Sequence, residues 1–357
     1  MSYIRLIYGW VRQEIFAIPG RIIALIFCVA LFIVPLITQE PYFLRIIIMA
    51  CIFSIFAISW DVLSGVAGQL NLGHAFFFGV SAYAAALLNI HLGWPCWLTI
   101  PSGAFVAVTF GMFVAIPALR MRGMYLGLVT LTFPIILTGF LFAAPFAGGE
   151  MGLSGVVRFS KSYVVTYYII ATVFLISAFI MYKFTDAKSK NVRIGIILHA
   201  IREDEIAART SGINTTGYKL LAFGVSGFFA GIAGGLYVHF VMLAEPSTLS
   251  LFFSIQAILW AVFGSAGTIY GAVVGVFLLY PMTEVLSMFT WGEQLRFIVF
   301  AGILVFTLLF MPEGISTWIL DKIEIKCPRC KLINFSTRVK CRACRAVLHP
   351  EREHLLK

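Results

Sequence analysis

Tyr163-Val164-Val165-Thr166-Tyr167-Tyr168-Ile169-Ile170-Ala171-Thr172-Val173-Phe174-Leu175-Ile176-Ser177-Ala178-Phe179-Ile180-Met181-Tyr182 is an apolar run without a single charge. About twenty such residues in a helix cover the roughly 30 Å of a bilayer's hydrocarbon, so this run reads as one membrane crossing. At Lys183 the chain turns polar and stays so until Tyr218. That interval holds Lys183, Lys188, Lys190, Arg193, Arg202 and Arg209, with Asp186, Glu203, Asp204 and Glu205 among them. At its centre, Ala200-Ile201-Arg202-Glu203-Asp204-Glu205-Ile206-Ala207-Ala208-Arg209-Thr210-Ser211-Gly212 is an amphipathic, helix-favouring stretch that ends in glycine. A multispanning chain with one long charged loop of this kind offers it to a soluble partner.

The same reading extends in both directions. The chain is 61% hydrophobic and 12% charged, with a mean hydropathy of +0.96, against about 25% charged residues in soluble domains. Apolar runs of spanning length recur near 22–38, 42–63, 74–92, 96–118, 124–145, 163–182, 219–241, 251–264, 269–289 and 296–312. The expectation is an all-α polytopic membrane protein of about ten spans, with 251–264 the shortest. Unbroken apolar runs exclude a β-barrel, whose strands must alternate.

Lysine and arginine placement gives an orientation. Arg5, Arg12 and Arg21, then Arg120 and Arg122, then the 183–218 loop and finally the basic tail all fall on one side if ten spans alternate. That side is expected to be the cytoplasm, with both termini in it. Arg158 and Lys161 are exceptions on the other side. Residues 1–20 carry Ile4, Ile7, Val11 and Ile15 at helical spacing among basic residues and are expected to lie along the inner membrane surface. No cleavage site follows the first apolar run. The net charge of +10 is therefore mostly topology, and nucleic acid is not an expected partner.

Four separated segments resemble one known family. They are Asp61–Gly79 with its Gly73-His74 pair, Leu119-Arg120-Met121-Arg122-Gly123-Met124-Tyr125, Gly148-Gly149-Glu150-Met151-Gly152-Leu153-Ser154-Gly155, and Ala200-Ile201-Arg202-Glu203 through Tyr218-Lys219-Leu220. In that order they resemble the signatures of LivM-type branched-chain amino-acid permeases of ABC importers, a family close to the urea and short-chain amide importer permeases. The resemblance covers roughly 42–312. Asn71 stands where the family carries serine, and Asp204 where it carries asparagine.

The resemblance implies a permease subunit in a bacterial or archaeal inner membrane. It would work with a homologous second permease, two ATP-binding subunits and an extracytoplasmic solute-binding protein. Within the 183–218 loop it implies that Glu205, Ala207, Ala208 and Gly212 couple to the ATPase, the small alanines allowing close approach and the glycine a tight exit. No phosphate-binding loop occurs in this chain, so hydrolysis belongs to the partners. No catalytic constellation appears either, and the chain is not expected to be an enzyme. The competing class is an ATP-independent channel or ion-coupled transporter, which needs membrane-buried ionisable residues. Asp61, His74, His239 and Glu284 are what the sequence offers.

Two polar breaks interrupt the apolar runs. Gly68-Gln69-Leu70-Asn71-Leu72-Gly73-His74 and Gly264-Ser265-Ala266-Gly267-Thr268 place irregular backbone near membrane depth, tolerated only inside protein or along a cavity. Gln69, Asn71, His74, Ser265 and Thr268 are therefore the candidate substrate pathway. The alternative is that glycine and serine pack helices closely.

The permease is expected over 21–312, and the tail 313–357 has no counterpart in the family pattern. It carries Cys327-Pro328-Arg329-Cys330 and Cys341-Arg342-Ala343-Cys344. Two C-x2-C pairs at this separation suit a structural zinc ion held by Cys327, Cys330, Cys341 and Cys344, and thiolate ligation fits a reducing compartment. The basic residues around it suit anionic membrane lipid. Cys28, Cys51 and Cys96 lie in apolar runs and read as small hydrophobes.

Overall fold

The computed structural model describes residues 19–121, 123–186 and 193–288, with shorter stretches between 298 and 348. The interfacial segment expected over 1–20 lies almost wholly outside them, as do residues 187–192 of the polar loop. Among the described residues, seven helices are long and apolar enough to cross a membrane: Pro41–Val66, Ala75–Leu92, Cys96–Ala118, Met124–Ala143, Tyr163–Thr185, Thr215–Val241 and Ile269–Ser287. Two shorter apolar helices, Ile22–Ile37 and Leu251–Gly264, coincide with two further expected spans. The tenth, 296–312, is described only in helical pieces at 298–299, 301–303, 305–306 and 309–310.

In chain order the long elements are α1 (Pro19–Ile37), α2 (Pro41–Asp61), α3 (Ala75–Leu92), α4 (Cys96–Ala118), α5 (Met124–Ala143) and α6 (Tyr163–Thr185). The polar loop forms α7 (Ile194–Glu203) and α8 (Glu205–Thr210). Then come α9 (Thr215–Val241), α10 (Leu251–Gly264), α11 (Ile269–Ser287) and, in the tail, α12 (Ile315–Ile323).

The centre of the bundle is α2. Pro41 starts it, at the position where a missing N–H removes nothing, and a π-helical turn, Val62–Val66, ends it. Its sequence is apolar all round, the pattern of a helix buried on every side, and 94% of its spanning window is buried. It packs against α6, α9, α10 and α11. Helix α9 packs closely on α3 and α4 because glycines line the contact. A Cβ on Gly231 would lie 2.7 Å from Ala104 Cα, and one on Gly234 would lie 2.1 Å from the Phe78 carbonyl oxygen. Such small-residue seams substitute for the hydrophobic drive that lipid does not supply. Tyr167 Oη donates to Leu31 O at 2.7 Å and ties α6 to α1.

Helix α10 explains its own brevity. Its 14 residues rise about 21 Å, too little to cross. The chain enters it from a buried turn, Pro246–Leu249, that already lies inside the bundle: a Cβ on Gly79 of α3 would meet Leu249 at 2.4 Å. At the end of the bundle opposite the polar loop, a short ladder joins Leu153–Ser154 to Leu243–Ala244.

Candidate functional site

The polar loop is two helices rather than one. Asp204 leaves the helical region (φ −153°, ψ 105°), and its side chain accepts from the N–H groups of Ile206 and Ala207 at 2.8 Å and 3.0 Å. Aspartate can take this role because its short side chain reaches its own backbone two and three residues on. Helix α8 ends as the sequence implied. Gly212 adopts φ +83°, and Ile213 N donates to Ala208 O at 3.1 Å, closing the terminus in a Schellman turn.

The four coupling candidates do not share one face. Ala207 and Gly212 are exposed, Glu205 is half-buried and Ala208 is buried. Glu205 binds Lys219 Nζ at 2.6 Å and Arg209 at 3.0 Å. Lys219 is itself buried, with 5% of its side chain exposed, so the pair anchors α8 to the first turns of α9. Sequence reasoning passed over Lys219 as part of the return to apolar residues. A lysine entering an apolar run was the available signal, since it requires a partner charge.

The first break turns the chain back alongside α2. Side chains satisfy much of its backbone, as irregular structure at this depth requires. Ser64 Oγ donates to Gln69 O at 2.9 Å and accepts from Asn71 N at 3.2 Å. Trp60 Nε1 donates to Asn71 O at 2.7 Å. Leu72 N reaches Thr130 Oγ1 at 3.1 Å, Gly73 N reaches Asn71 Oδ1 at 3.0 Å, and Ala75 N reaches Ser254 Oγ at 3.0 Å.

Asn71 and His74 complete a chain of bonds. With Asn71 Oδ1 engaged by Gly73 N, its Nδ2 donates to His74 Nδ1 at 3.3 Å. The imidazole proton then sits on Nε2 and is donated to Ser59 Oγ at 2.8 Å, whose own proton goes to Phe56 O at 2.7 Å. Gln69 is 7% exposed, Asn71 1% and His74 0%.

The second break is held differently. Ser265 takes φ +139°, a region that serine rarely occupies and that stores strain of about 1–3 kcal/mol. Its hydroxyl pairs with Thr317 Oγ1 of α12 at 2.7 Å, and Thr268 Oγ1 donates to Ser265 O at 2.8 Å. The second break meets the end of α2 where Gly267 N donates to Asp61 Oδ1 at 2.6 Å. The five pathway candidates are thus not gathered around one space. A small cleft between α3, α4, α5 and α9 is lined by Asn71, Gly73, Phe76, Phe77, Val114, Thr130, Phe133 and Phe223, and Asn71 alone of the five reaches it. Phe78 packs inward instead, against Phe253 at 4.8 Å and Tyr237 at 5.4 Å.

In the tail, Glu324–Lys326 and Ile333–Phe335 form an antiparallel hairpin, and the first cysteine pair lies at its turn. The sulfurs of Cys327 and Cys344 are 3.4 Å apart and those of Cys330 and Cys341 are 3.5 Å apart. All four lie within 4.8 Å of one another. A tetrahedral zinc with bonds of about 2.3 Å places its thiolates roughly 3.8 Å apart, whereas a disulfide needs about 2.05 Å. Backbone N–H groups of Cys330 and Arg329, directed at Cys327, hold its thiol below the ordinary value, which favours the ligating thiolate. The donor set fits one structural metal ion.

Comparison with known proteins gives the same account of residues 42–308, which match the family model for the branched-chain amino acid transport system / permease component. The chain belongs to this family. Among its relatives, the high-affinity branched-chain amino acid transport system permease protein LivM of Salmonella typhimurium is 26% identical over 312 residues, covering 79% of this chain and 72% of the relative. LivM of Escherichia coli is 26% identical over 307 residues, covering 78% and 71%. BraD of Pseudomonas aeruginosa is 25% identical over 289 residues, covering 74% and 91%. The chain is therefore a multi-pass permease subunit of an ABC importer, a transport component and not an enzyme, and its family works with ATPase and substrate-binding partners. The cysteine-bearing tail lies beyond the matched residues.

Proposed function

We propose that this permease carries branched-chain amino acids inward, paired with a second, homologous permease, driven by two ATPase subunits and fed by an extracytoplasmic binding protein. The observation that carries the reading is the α7–α8 unit. It is a charged helix pair, with α8 capped by Asp204, whose outer face, including Ile206 and Ala207, is exposed while Lys219 and Glu205 anchor its base. An exposed isoleucine on a rigid polar helix suits a cleft in a soluble partner. In this reading the 183–218 loop and both termini face the cytoplasm. Anionic lipid meets the basic tail, which is a separate small domain after the permease.

The ion-coupled alternative is less well served, because three of its four candidate groups are engaged. His74 is bonded to Ser59 and Asn71, His239 to Thr99 and Val157, and Glu284 accepts from Tyr280 Oη at 2.7 Å.

The test is uptake by vesicles holding the complete complex, with labelled leucine, isoleucine, valine, urea and acetamide. ATP-dependent, receptor-dependent leucine uptake is expected. ATP-dependent uptake of urea or acetamide alone would reassign the substrate, and uptake without ATP would favour the channel class.

On the pathway, Gln69, Asn71, His74, Ser265 and Thr268 line the route only when the two breaks part. Cysteines placed at positions 69, 71 and 265 are therefore expected to resist a small water-soluble thiol reagent at rest and to react during ATP turnover. Inaccessibility in every state would leave both breaks as packing features.

For the tail, the proposed cofactor is one zinc per chain on Cys327, Cys330, Cys341 and Cys344, stapling a segment too short to build a core alone. Elemental analysis of reduced, purified protein is expected to find about one equivalent. Removal of the residues after Ile325 is expected to abolish it and leave most uptake. Metal-free protein that retains the folded tail contradicts the assignment.

A further inference from the structure

The transport reading leaves unassigned a fully buried carboxylate and an arginine that share one notch. Arg202, in the last turn of α7, is exposed along much of its length, yet its Nη1 donates to Gly65 O at 2.5 Å. Gly65 belongs to the π-helical turn that ends α2. A Cβ on Gly68 would lie 3.1 Å from Arg202 Cγ and 3.2 Å from its Cα, and one on Gly267 would lie 2.9 Å from Arg202 Nη1. Two glycines thus make room for one side chain. Gly68 and Gly267 also carry φ of +68° and +83°, which other residues rarely take up.

Asp61 lies in the same notch. It is 0% exposed, and its Oδ1 holds Gly267 N at 2.6 Å. Its Oδ2 has no hydrogen-bond partner. A Cβ on Gly65 would fall 2.0 Å from Asp61 Oδ1 and 2.5 Å from Gly267 N, so the notch is closed around the pair. Arg202 touches the π-helical turn at Gly65, the first break at Gly68 and the second at Gly267. Only Glu203 and the Asp204 bend separate it from α8.

We propose, on the permease reading above, that Arg202 and Asp61 form a latch through which the ATPase-docked loop moves both membrane breaks together. With Arg202 seated, Gly65 and Gly267 are clamped side by side and the inner end of the route is shut. Withdrawal of α7 takes the guanidinium from Gly65 O and leaves that buried carbonyl without its arginine donor. A buried acceptor left unmade is costly, so the notch opens rather than resting half-way, and interfaces of this kind switch between discrete packings. Both residues position the breaks, and neither is required to touch the solute.

The test compares Arg202→Gln, Arg202→Lys and Asp61→Asn in the complete reconstituted complex. Arg202→Gln and Asp61→Asn are expected to keep ATPase co-purification and hydrolysis near wild type. Solute moved per ATP should fall by about tenfold, and the loaded receptor should no longer stimulate hydrolysis. Arg202→Lys, which keeps the charge and loses the fork, should fall between. Unchanged transport per ATP in both variants overturns the latch. So does a loss of hydrolysis and uptake in proportion to lost ATPase binding, which would make Arg202 part of the dock.

Should a variant fail to assemble, hydrogen exchange on the wild-type complex decides. Trapping nucleotide is expected to change peptides covering 198–206, 65–72 and 264–268 together, and a change in 198–206 alone overturns the proposal. Failure of the permease reading is separately visible as absent ATP-dependent uptake by the wild type.

Discussion

Gly73→Ala is expected to remove nearly all folded permease from the membrane fraction. Its Cβ would fall 1.9 Å from the Thr130 carbonyl oxygen and 2.6 Å from the carbonyl carbon, both backbone atoms that no rotamer change can move. Relief requires α5 to shift away, and that shift takes Thr130 Oγ1 from Leu72 N. Overpacking of this kind costs about 1–3 kcal/mol, and a buried N–H left without a partner adds about 1–3 kcal/mol. Together they approach the whole stability margin of many domains. Gly139→Ala is the control, since a Cβ there meets nothing within 4 Å. Size-exclusion yield after detergent extraction is expected to fall by more than about tenfold for Gly73→Ala, from roughly 2 kcal/mol upward, and to stay unchanged for Gly139→Ala. Equal yields would show that the first break is not packed as described.

Ala207→Arg and Gly212→Val are expected to leave insertion and yield intact while uptake by the reconstituted complex drops by about tenfold or more. The two act differently. Ala207 is exposed on α8, so arginine harms nothing within this chain and obstructs only a surface seated against it. At Gly212 a Cβ meets nothing within 4 Å, and the effect comes from φ +83° alone. A β-branched side chain there costs about 1–2 kcal/mol and unwinds the Schellman turn that sets the exit from α8. Less ATPase should co-purify with either variant. Full uptake by both would remove the loop from the coupling account.

Much of this architecture was legible because apolar length is a strong signal. Helices occupy nine of the ten expected spans among the described residues, and the shortest, 251–264, proved to start inside the bundle. What escaped is what local sequence does not encode. Arg202 through Ala208 all favour helix, and only Asp204's capacity to cap distinguishes one helix from two. At the first break, composition identified irregular backbone but not where its polar groups point. Asn71 and His74 spend theirs on Gly73 N and Ser59 Oγ. Ser265 was placed on the substrate pathway together with residues of the first break, yet its hydroxyl faces Thr317 in the tail. The Arg202–Gly65 bond crosses 137 positions, and no periodicity announces it. The cysteine pairs, by contrast, left their C-x2-C spacing in the chain, and the four sulfurs lie within 4.8 Å of one another.

The most direct measurement is site-specific photo-crosslinking from position 207 of the assembled transporter in native membranes. A photoreactive residue replacing Ala207 is expected to form a covalent adduct with the ATPase subunit. The yield should change with bound nucleotide, and the same probe at Trp97, at the far end of the bundle, should give none. A transport-competent complex that yields no ATPase adduct from position 207 in any nucleotide state would contradict the account.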